Sequence, residues 1–428
     1  MNTKHSRVLI WIAYTCLLIF VTPSYGSWWT HDPNEIGDWD DPGNWSAGLP
    51  SHVAYINNGG TAHISGGTTS VSTSYVGYDS TSTNRVIQTG DGTLGSTSIY
   101  QHLRLGEQPG THGEYDLSGN SQLTAGTIRI GDRGYGVFRQ SGGIVNASIA
   151  TAMDFSASGL HEMSGGTLDA PYFEMGGGGD SEFHLTEGDV TSNNFHVGYA
   201  FGEARAELHG GSVTAKLFSI GTGYTWNSSH PPATGTTLLS GSARLEADTL
   251  GVGGYGQGVL IQSGGSLIAN DELSIANRIE SSATGPGAYR LSGGSAVANQ
   301  VNVGSGGQGT LEVIGAGSSI SFASYDQTSR GRLLSEINTT GLSTIDVTGA
   351  ASVAGTWEVL DVGAPIGRYE VMTADAGIAM SPSSVLLPGP EWIWGIDAGT
   401  TLWVEHIPEP ASFGILCVMG PVLFRRGS

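Results

Sequence analysis

Residues 136–166 read GVFRQSGGIVNASIATAMDFSASGLHEMSGG and span one full unit of a repeat that dominates the chain. Ser141 and Ser164 each begin a Ser-Gly-Gly triplet, 23 residues apart. Related triplets occur at residues 118–120, 186–188, 209–211, 240–242, 263–265 and 292–294. Most neighbouring triplets lie 22 or 23 residues apart, and the two longer intervals contain segments 224–235 and 281–287, which we interpret as inserted loops. A period of this size is typical of stacked repeats.

Each unit contains short stretches that alternate between apolar and other residues. Ile128-Arg129-Ile130-Gly131 and Val301-Asn302-Val303-Gly304 show the apolar-x-apolar-glycine form of one stretch. Such alternation predicts a strand, and the glycine predicts a turn. A small residue that suits a narrow corner recurs between the two glycine positions: Ala147, Ala170, Ala215, Ala269 and Ala298.

One such unit cannot bury its own apolar face, whereas coils stacked about 4.8 Å apart bury a continuous column. The sequence therefore predicts an all-β fold, a parallel β-helix or β-solenoid of about ten 22–23-residue coils over residues 59–325. We expect residues 27–58 to form an N-terminal capping segment and residues 326–405 a C-terminal β capping module. Eight tryptophans flank the repeat, and we interpret them mainly as packing that covers the open ends.

The strand before each Ser-Gly turn carries a second pattern. The positions three and one before the turn are mostly apolar, as at Tyr115 and Leu117, and are predicted to point inward. The residue between them should point outward, and in successive coils it is Asp116, Arg139, Glu162, His184 and Glu207. Because opposite charges alternate, we interpret this column as a surface ladder that sets the register of the coils. A binding stripe is the alternative.

Composition excludes several classes of function. The chain has 428 residues, of which 68 are glycine, and its formal net charge is −21. Nucleic acid is an unsuitable partner because phosphate binding needs clustered lysine and arginine. The two cysteines, Cys16 and Cys417, lie in terminal segments that we expect to be removed, so neither disulfides nor a thiolate metal site is expected in the mature chain.

The N-terminus has the form of a signal peptide. Lys4 and Arg7 precede an apolar run, and small residues follow it. We predict a signal peptide over residues 1–26, cut by signal peptidase between Gly26 and Ser27. An uncleaved anchor helix is the alternative, although the apolar run is shorter than the ~20 residues of a typical span.

The C-terminus has three parts in order: Pro408-Glu409-Pro410, an apolar stretch over residues 411–424, and Arg425-Arg426. Residues 406–428 resemble the PEP-CTERM sorting signal of Gram-negative bacteria, with its short transmembrane segment. The resemblance implies recognition by an exosortase in the inner membrane, transient anchoring there, removal of the tail near residues 408–410, and transfer to the envelope or the extracellular matrix. A plain membrane anchor is the alternative. The coils themselves resemble the glycine-rich repeats of PEP-CTERM proteins and of autotransporter passenger domains, which implies a β-solenoid and carries no catalytic residues.

No catalytic or metal-binding motif stands out in the sequence. Glu162 and Glu207 are predicted to lie about two coils apart, so an inverting carboxylate pair remains conceivable geometrically. The turn 176–180 matches a calcium-binding repeat only in part. We expect no enzyme activity, no metal and no cofactor. Trp226, in the first inserted loop, is a candidate carbohydrate contact.

These observations lead to one expectation about function. We expect an exported cell-surface or extracellular-matrix structural or interaction protein that associates with exopolysaccharide or envelope components. A carbohydrate-active enzyme and a lectin-like binding module on the same scaffold are the alternatives.

Overall fold

The computed structural model describes residues 26–95, 102–223, 232–276 and 285–408. Strand makes up 65% of the structure, and no α-helix occurs within the described ranges. The fold is an all-β parallel solenoid, as predicted, with about 14 turns rather than about ten. A single sheet of 29 strands runs through all of the described ranges.

The first strands are short and are joined by tight turns, with one 3-10 turn at Pro42–Asn44. They are β1 (Ser27–Trp28), β2 (Ile36–Asp38), β3 (Val53–Ile56), β4 (Thr61–Ile64), β5 (Thr68–Thr69), β6 (Thr73–Val76), β7 (Thr83–Gln88), β8 (Thr93–Leu94) and β9 (His102–Leu105).

The strands of the Ser-Gly repeat are longer because several continue round a corner. They are β10 (His112–Leu117), β11 (Gln122–Ile130), β12 (Tyr135–Thr151), β13 (Ser158–Met175), β14 (Asp180–Val197), β15 (Glu203–Leu208), β16 (Ser212–Ile220), β17 (Thr234–Leu239), β18 (Arg244–Val252), β19 (Gln257–Ile275), β20 (Gly287–Val303), β21 (Gly309–Ile314) and β22 (Ser318–Gln327).

The C-terminal strands continue the column and then close it. They are β23 (Gly331–Asn338), β24 (Ile345–Val347), β25 (Ala351–Val362), β26 (Gly367–Ala374), β27 (Ile378–Leu386), β28 (Trp392–Asp397) and β29 (Thr401–His406).

Parallel pairing extends beyond both boundaries that the sequence suggested for the coils. β1 already pairs in parallel with β3, inside the predicted N-terminal cap. At the other end, β25 pairs in parallel with β27, inside the predicted C-terminal module. Among the described strands, β28 and β29, with β26, switch to antiparallel pairing. The flanking coils lack the Ser-Gly-Gly triplet, which explains why the repeat count from the sequence is lower.

The interior has the side-chain pattern that the sequence predicted. Tyr115, Phe138 and Phe183 are fully buried at the position three before the turn. The alanines of the narrow corner are all buried. A second inward column stacks Phe173, Phe195 and Phe218 at ring distances of 4.2 and 4.8 Å. The apolar column therefore runs without interruption through neighbouring coils.

Glycine is required at the turns because neighbouring coils meet there backbone to backbone. Gly131 has φ of +69°, and a Cβ on it would lie 2.1 Å from the carbonyl oxygen of Ser158 in the next coil. Gly143 has φ of +71°, and its Cβ would lie 2.4 Å from the carbonyl oxygen of Ser121. Both the left-handed backbone and the lack of space exclude a side chain at these positions.

Buried glutamines are a feature of the interior that the sequence pattern did not reveal. Gln88 and Gln262 are fully buried one position before a turn, and each accepts a hydrogen bond from a tyrosine of the next coil, Tyr115 or Tyr289. Their amide nitrogens donate to backbone carbonyls at the corner, as from Gln262 Nε2 to Ser295 O at 2.9 Å. These groups satisfy each other in the dry core, as buried polar groups must.

Tryptophans cover the N-terminal end. Trp29, Trp39 and Trp45 are buried together. The ring centroid of Trp45 lies 4.9 Å from that of Trp29 and 4.8 Å from that of Trp39. Trp45 Nε1 also donates to the carbonyl oxygen of Trp39 at 2.8 Å. At the other end Trp357 and Trp392 are buried. The packing role predicted for the flanking tryptophans is confirmed for these five.

Candidate functional site

The predicted charged ladder is present on the surface. The register places Asp116, Arg139, Glu162, His184 and Glu207 opposite one another in successive coils. Arg139 lies 3.0 Å from Glu162 and 3.4 Å from Asp116, and it also contacts Glu114 at 2.9 Å. Because the charges neutralise one another, this column is better suited to holding coils together than to capturing a ligand.

The same register keeps the two glutamates of the ladder apart. Glu162 and Glu207 both pair with His184, which lies between them, so they do not face each other across an open gap. Within the part of the chain that the structure describes, no group of three or more potential metal-binding side chains occurs, and the turn at 176–180 is not part of one.

A second outward column runs along a different face, formed by the middle residue of each apolar-x-apolar stretch. We call it the polar column. In coil order it consists of Trp28, Tyr55, Tyr75, Arg104, Arg129, Ala150, Glu174, His196, Ser219, Gly251, Ser274, Asn302, Asp326 and Ser352.

The polar column begins with stacked aromatic rings. Trp28 lies 4.2 Å from Tyr55 with 12° between the ring planes, and Tyr55 lies 5.0 Å from Tyr75 with 6° between them. Rings stacked in this way cover each other's faces, so only the outer face of Trp28, which is 39% exposed, is available at this end. The stack mainly extends the N-terminal cap along the surface.

An ion cluster follows the aromatic stack. Arg104 contacts Glu107 at 2.8 Å and Asp132 at 3.1 Å, and Arg129 contacts Asp132 at 3.2 Å. Burial, and then a hydrogen bond shared with Asp132, raise the pKa of Glu107. The repeat pattern alone did not indicate this acid pair, although Glu107 and Asp132 both directly follow the recurring turn glycine. The guanidinium groups of Arg104 and Arg129 form ion pairs with the carboxylates of Glu107 and Asp132, so positive and negative charges balance within the cluster.

The centre of the polar column opens into a groove of about 270 Å³. β13, β14, β16 and β18 position its side chains, because these strands are neighbours in consecutive coils. The side chain on the column shrinks from Glu174 and His196 to Ser219 and then to Gly251, which leaves room above the later coils. The groove is lined by Tyr172, Glu174, Asn194, His196, Tyr199, Leu217, Ser219, Ile220, Thr222, Gly251, Gly253, Gly254 and Tyr255.

Burial controls the ionisation of the two titratable groups on the groove floor. It lowers the pKa of His196 to about 4 and raises the pKa of Glu174. His196 is therefore neutral at pH 7, and its Nδ1 lies 2.5 Å from the hydroxyl oxygen of Ser219. The Ser219 hydroxyl is fully buried and bonded to His196, so the neutral imidazole and the Asn194 amide are the groups suited to forming directed hydrogen bonds with a ligand in this aromatic-lined groove.

Some of the site residues predicted from the sequence belong to the described residues, and others lie outside them. Gly26 and Ser27 are described, and β1 begins at Ser27, directly after the predicted cleavage point. Pro408 is the last described residue. Glu409, Pro410, Arg425, Arg426 and Trp226 lie outside the described residues, as does the expected short transmembrane segment. Among the helices of the described residues, none is long and apolar enough to cross a membrane.

Comparison with protein-family models, with curated proteins and with solved structures gave no match for this chain. The function of this chain is therefore inferred from its sequence features and from the geometry of the described residues.

Proposed function

We propose that this chain is an exported structural or interaction protein of the cell surface or extracellular matrix that associates with exopolysaccharide or envelope components. The observation that carries the proposal is the extent of the folded unit. Within the described ranges, which run from residue 26 to residue 408, the strands extend from Ser27 to His406, so all of the described strands lie between the two predicted processing sites. Neither predicted cleavage would remove a described strand of the solenoid.

Sorting follows from the PEP-CTERM resemblance of the tail. In this proposal signal peptidase acts before Ser27, the C-terminal segment holds the protein transiently in the inner membrane, and an exosortase acts near Pro408. The protein then reaches the envelope or the extracellular space. A net charge of −21 keeps such an acidic solenoid soluble and away from nucleic acid.

Association with polysaccharide is supported by the shape of the fold. Identical coil spacing presents one outward residue every ~4.8 Å along each face, which provides a long surface for an extended polymer. The central groove of the polar column adds an aromatic-lined depression with polar side chains on its floor.

The experiment that tests the sorting proposal is intact mass and cell fractionation in the native host. We expect a species that begins near Ser27 and ends near Pro410, found outside the inner membrane. Replacement of Pro408, Glu409 and Pro410 by alanine should leave the full tail in the inner membrane. The matched control replaces Pro388 and Pro390, a second proline-x-proline pair within the folded unit, and should be sorted normally. A wild-type protein that retains its tail in the inner membrane would refute the sorting proposal.

A further inference from the structure

The groove of the polar column extends over several coils. Tyr172, Asn194 and Leu217 stack in one register column, and Glu174, His196 and Ser219 stack in the adjacent one. Three steps of about 4.8 Å, from β13 to β18, give a length of ~14 Å. The groove is thus long enough for a short segment of a polymer that runs along the solenoid axis.

Aromatic groups lie at both sides of this groove. Tyr172 projects from the surface at its first coil and is 51% exposed. Tyr199 and Tyr255 come from the turns that follow β14 and β18, and the Tyr199 ring lies 5.3 Å from the ring of His196. Tyrosine combines a flat apolar face with a polar end, which is the combination that a ligand with both C–H faces and hydroxyl groups requires.

The charge of the groove restricts the ligand further. Among the described lining residues none is a lysine or an arginine, so an anionic ligand would find no opposite charge. His196 is held neutral by burial, and Glu174 is shifted towards its neutral form by the same cause. The acidic chain as a whole also repels polyanions.

Two polar side chains on the groove floor, His196 and Asn194, are placed to form directed hydrogen bonds with a ligand. If the Ser219 hydroxyl donates to His196 Nδ1, Nε2 of the imidazole carries the hydrogen and serves as a donor. Asn194, half-buried in the adjacent column, supplies both an amide donor and an amide acceptor. A ligand rich in hydroxyl groups, each of which can both donate and accept, matches this set.

We propose that the groove between Tyr172 and Tyr255 binds a segment of an uncharged polysaccharide, with a sugar ring against Tyr172 and sugar hydroxyls hydrogen-bonded to Asn194 and His196. This inference rests on the proposed function, because it assigns the polysaccharide contact to one site and one class of ligand.

Isothermal titration calorimetry, which measures the affinity of the full-length protein in mild detergent for each oligosaccharide, tests this assignment. The probes are neutral laminari- and manno-oligosaccharides and, as the anionic comparison, oligogalacturonate. We expect at least one neutral probe to bind and oligogalacturonate not to bind. Tyr172→Ala should weaken that binding at least tenfold, whereas Tyr172→Phe, which retains the ring, should stay within threefold. Tyr135→Ala removes a comparably exposed tyrosine outside the groove and should have no effect.

Two further measurements separate this inference from the general proposal. A competition titration measures whether oligogalacturonate displaces the bound neutral probe, and displacement at an equal concentration would overturn the assignment to an uncharged ligand. The assignment to the groove also fails if no neutral probe binds, or if Tyr172→Ala binds as wild type does. Sedimentation with exopolysaccharide from the native host tests the proposed function itself. Co-sedimentation that survives Tyr172→Ala would overturn only the groove, and its absence in the wild type would refute association with that polysaccharide.

Discussion

Replacement of His161 by tyrosine should stabilise the protein, and most strongly in acid. His161 is fully buried between Phe138 and Phe183, with ring centroids 5.1 Å away on both sides. Neither of its ring nitrogens has a hydrogen-bond partner, and Oε1 of the buried Gln140 in the preceding coil has none either. In two other coils a tyrosine occupies the position of His161 and donates to the glutamine of the preceding coil. A tyrosine at 161 should therefore donate to Gln140.

The pH dependence follows from the burial of the imidazole. Burial lowers the pKa of His161 from an ordinary value of 6.5 to about 3. Above pH 6.5 the group is neutral in both states and has no effect on the pH dependence. Below pH 6.5 the unfolded chain binds a proton that the folded chain excludes, so the free energy of unfolding falls by about 1.4 kcal/mol per pH unit until pH approaches 3. At pH 4.5 the loss from this one residue is about 3 kcal/mol.

Denaturant unfolding at pH 7 and pH 4.5 measures both effects. His161→Tyr should gain about 1 kcal/mol at pH 7 from the new hydrogen bond and should lack the acid loss of about 3 kcal/mol. His161→Phe is the control, because it removes the acid loss but leaves Oε1 of Gln140 without a hydrogen-bond donor. Other buried groups such as His196 titrate in all three proteins and cancel in the comparison. If wild type and His161→Tyr lose the same stability between the two pH values, the reasoning is refuted.

Three further changes test the turns, the charged ladder and the cap. Gly143→Ala should lower the free energy of unfolding by at least about 2 kcal/mol, because Gly143 has a positive φ and a carbonyl oxygen lies close to it. Gly66→Ala, which has open space around it, should lower it by under about 1 kcal/mol, and thermal unfolding measures the difference. Arg139→Ala leaves three carboxylates near one another and should lower the free energy of unfolding in urea by about 1–2 kcal/mol. Arg205→Ala removes one exposed ion pair and should lower it less. Equal losses for the two variants would argue against the ladder network. Trp39→Ala should lose about 3–5 kcal/mol and increase self-association in analytical ultracentrifugation, and a monomer of unchanged stability would contradict the capping role.

The sequence predicts the solenoid because its repeat has a physical cause at each position. Gly143 and its equivalents are needed where coils meet, and Tyr115 or Phe138 must point inward because the strand alternates. Such rules depend only on local spacing, so they can be read without a structure. The charged ladder could be predicted for the same reason, since Asp116 and Arg139 occupy equivalent places in adjacent units.

Other features could not be read in this way. Alternation assigns the positions of Gln140 and Gln262 to the interior, but glutamine is a polar residue and is not expected there. The structure shows that their amide nitrogens donate hydrogen bonds to backbone carbonyls at the corner. The groove depends on Glu174, His196 and Ser219 being neighbours across three coils, and that alignment requires the register of every intervening turn. Glu174 does lie within an apolar-x-apolar triplet, Phe173-Glu174-Met175, so a column-by-column alignment of such triplets could have indicated the site.

The parallel register has a mechanical consequence. Hydrogen bonds between coils run along the axis of the column, while the first strand and the last strand lie at its two ends. A load applied between the chain ends therefore pulls these bonds in line and on one coil boundary at a time, rather than shearing many of them together. Under such a load the chain should lengthen in steps of one coil at low force. The coils that remain folded then present the strand edges on which a released coil can pair again.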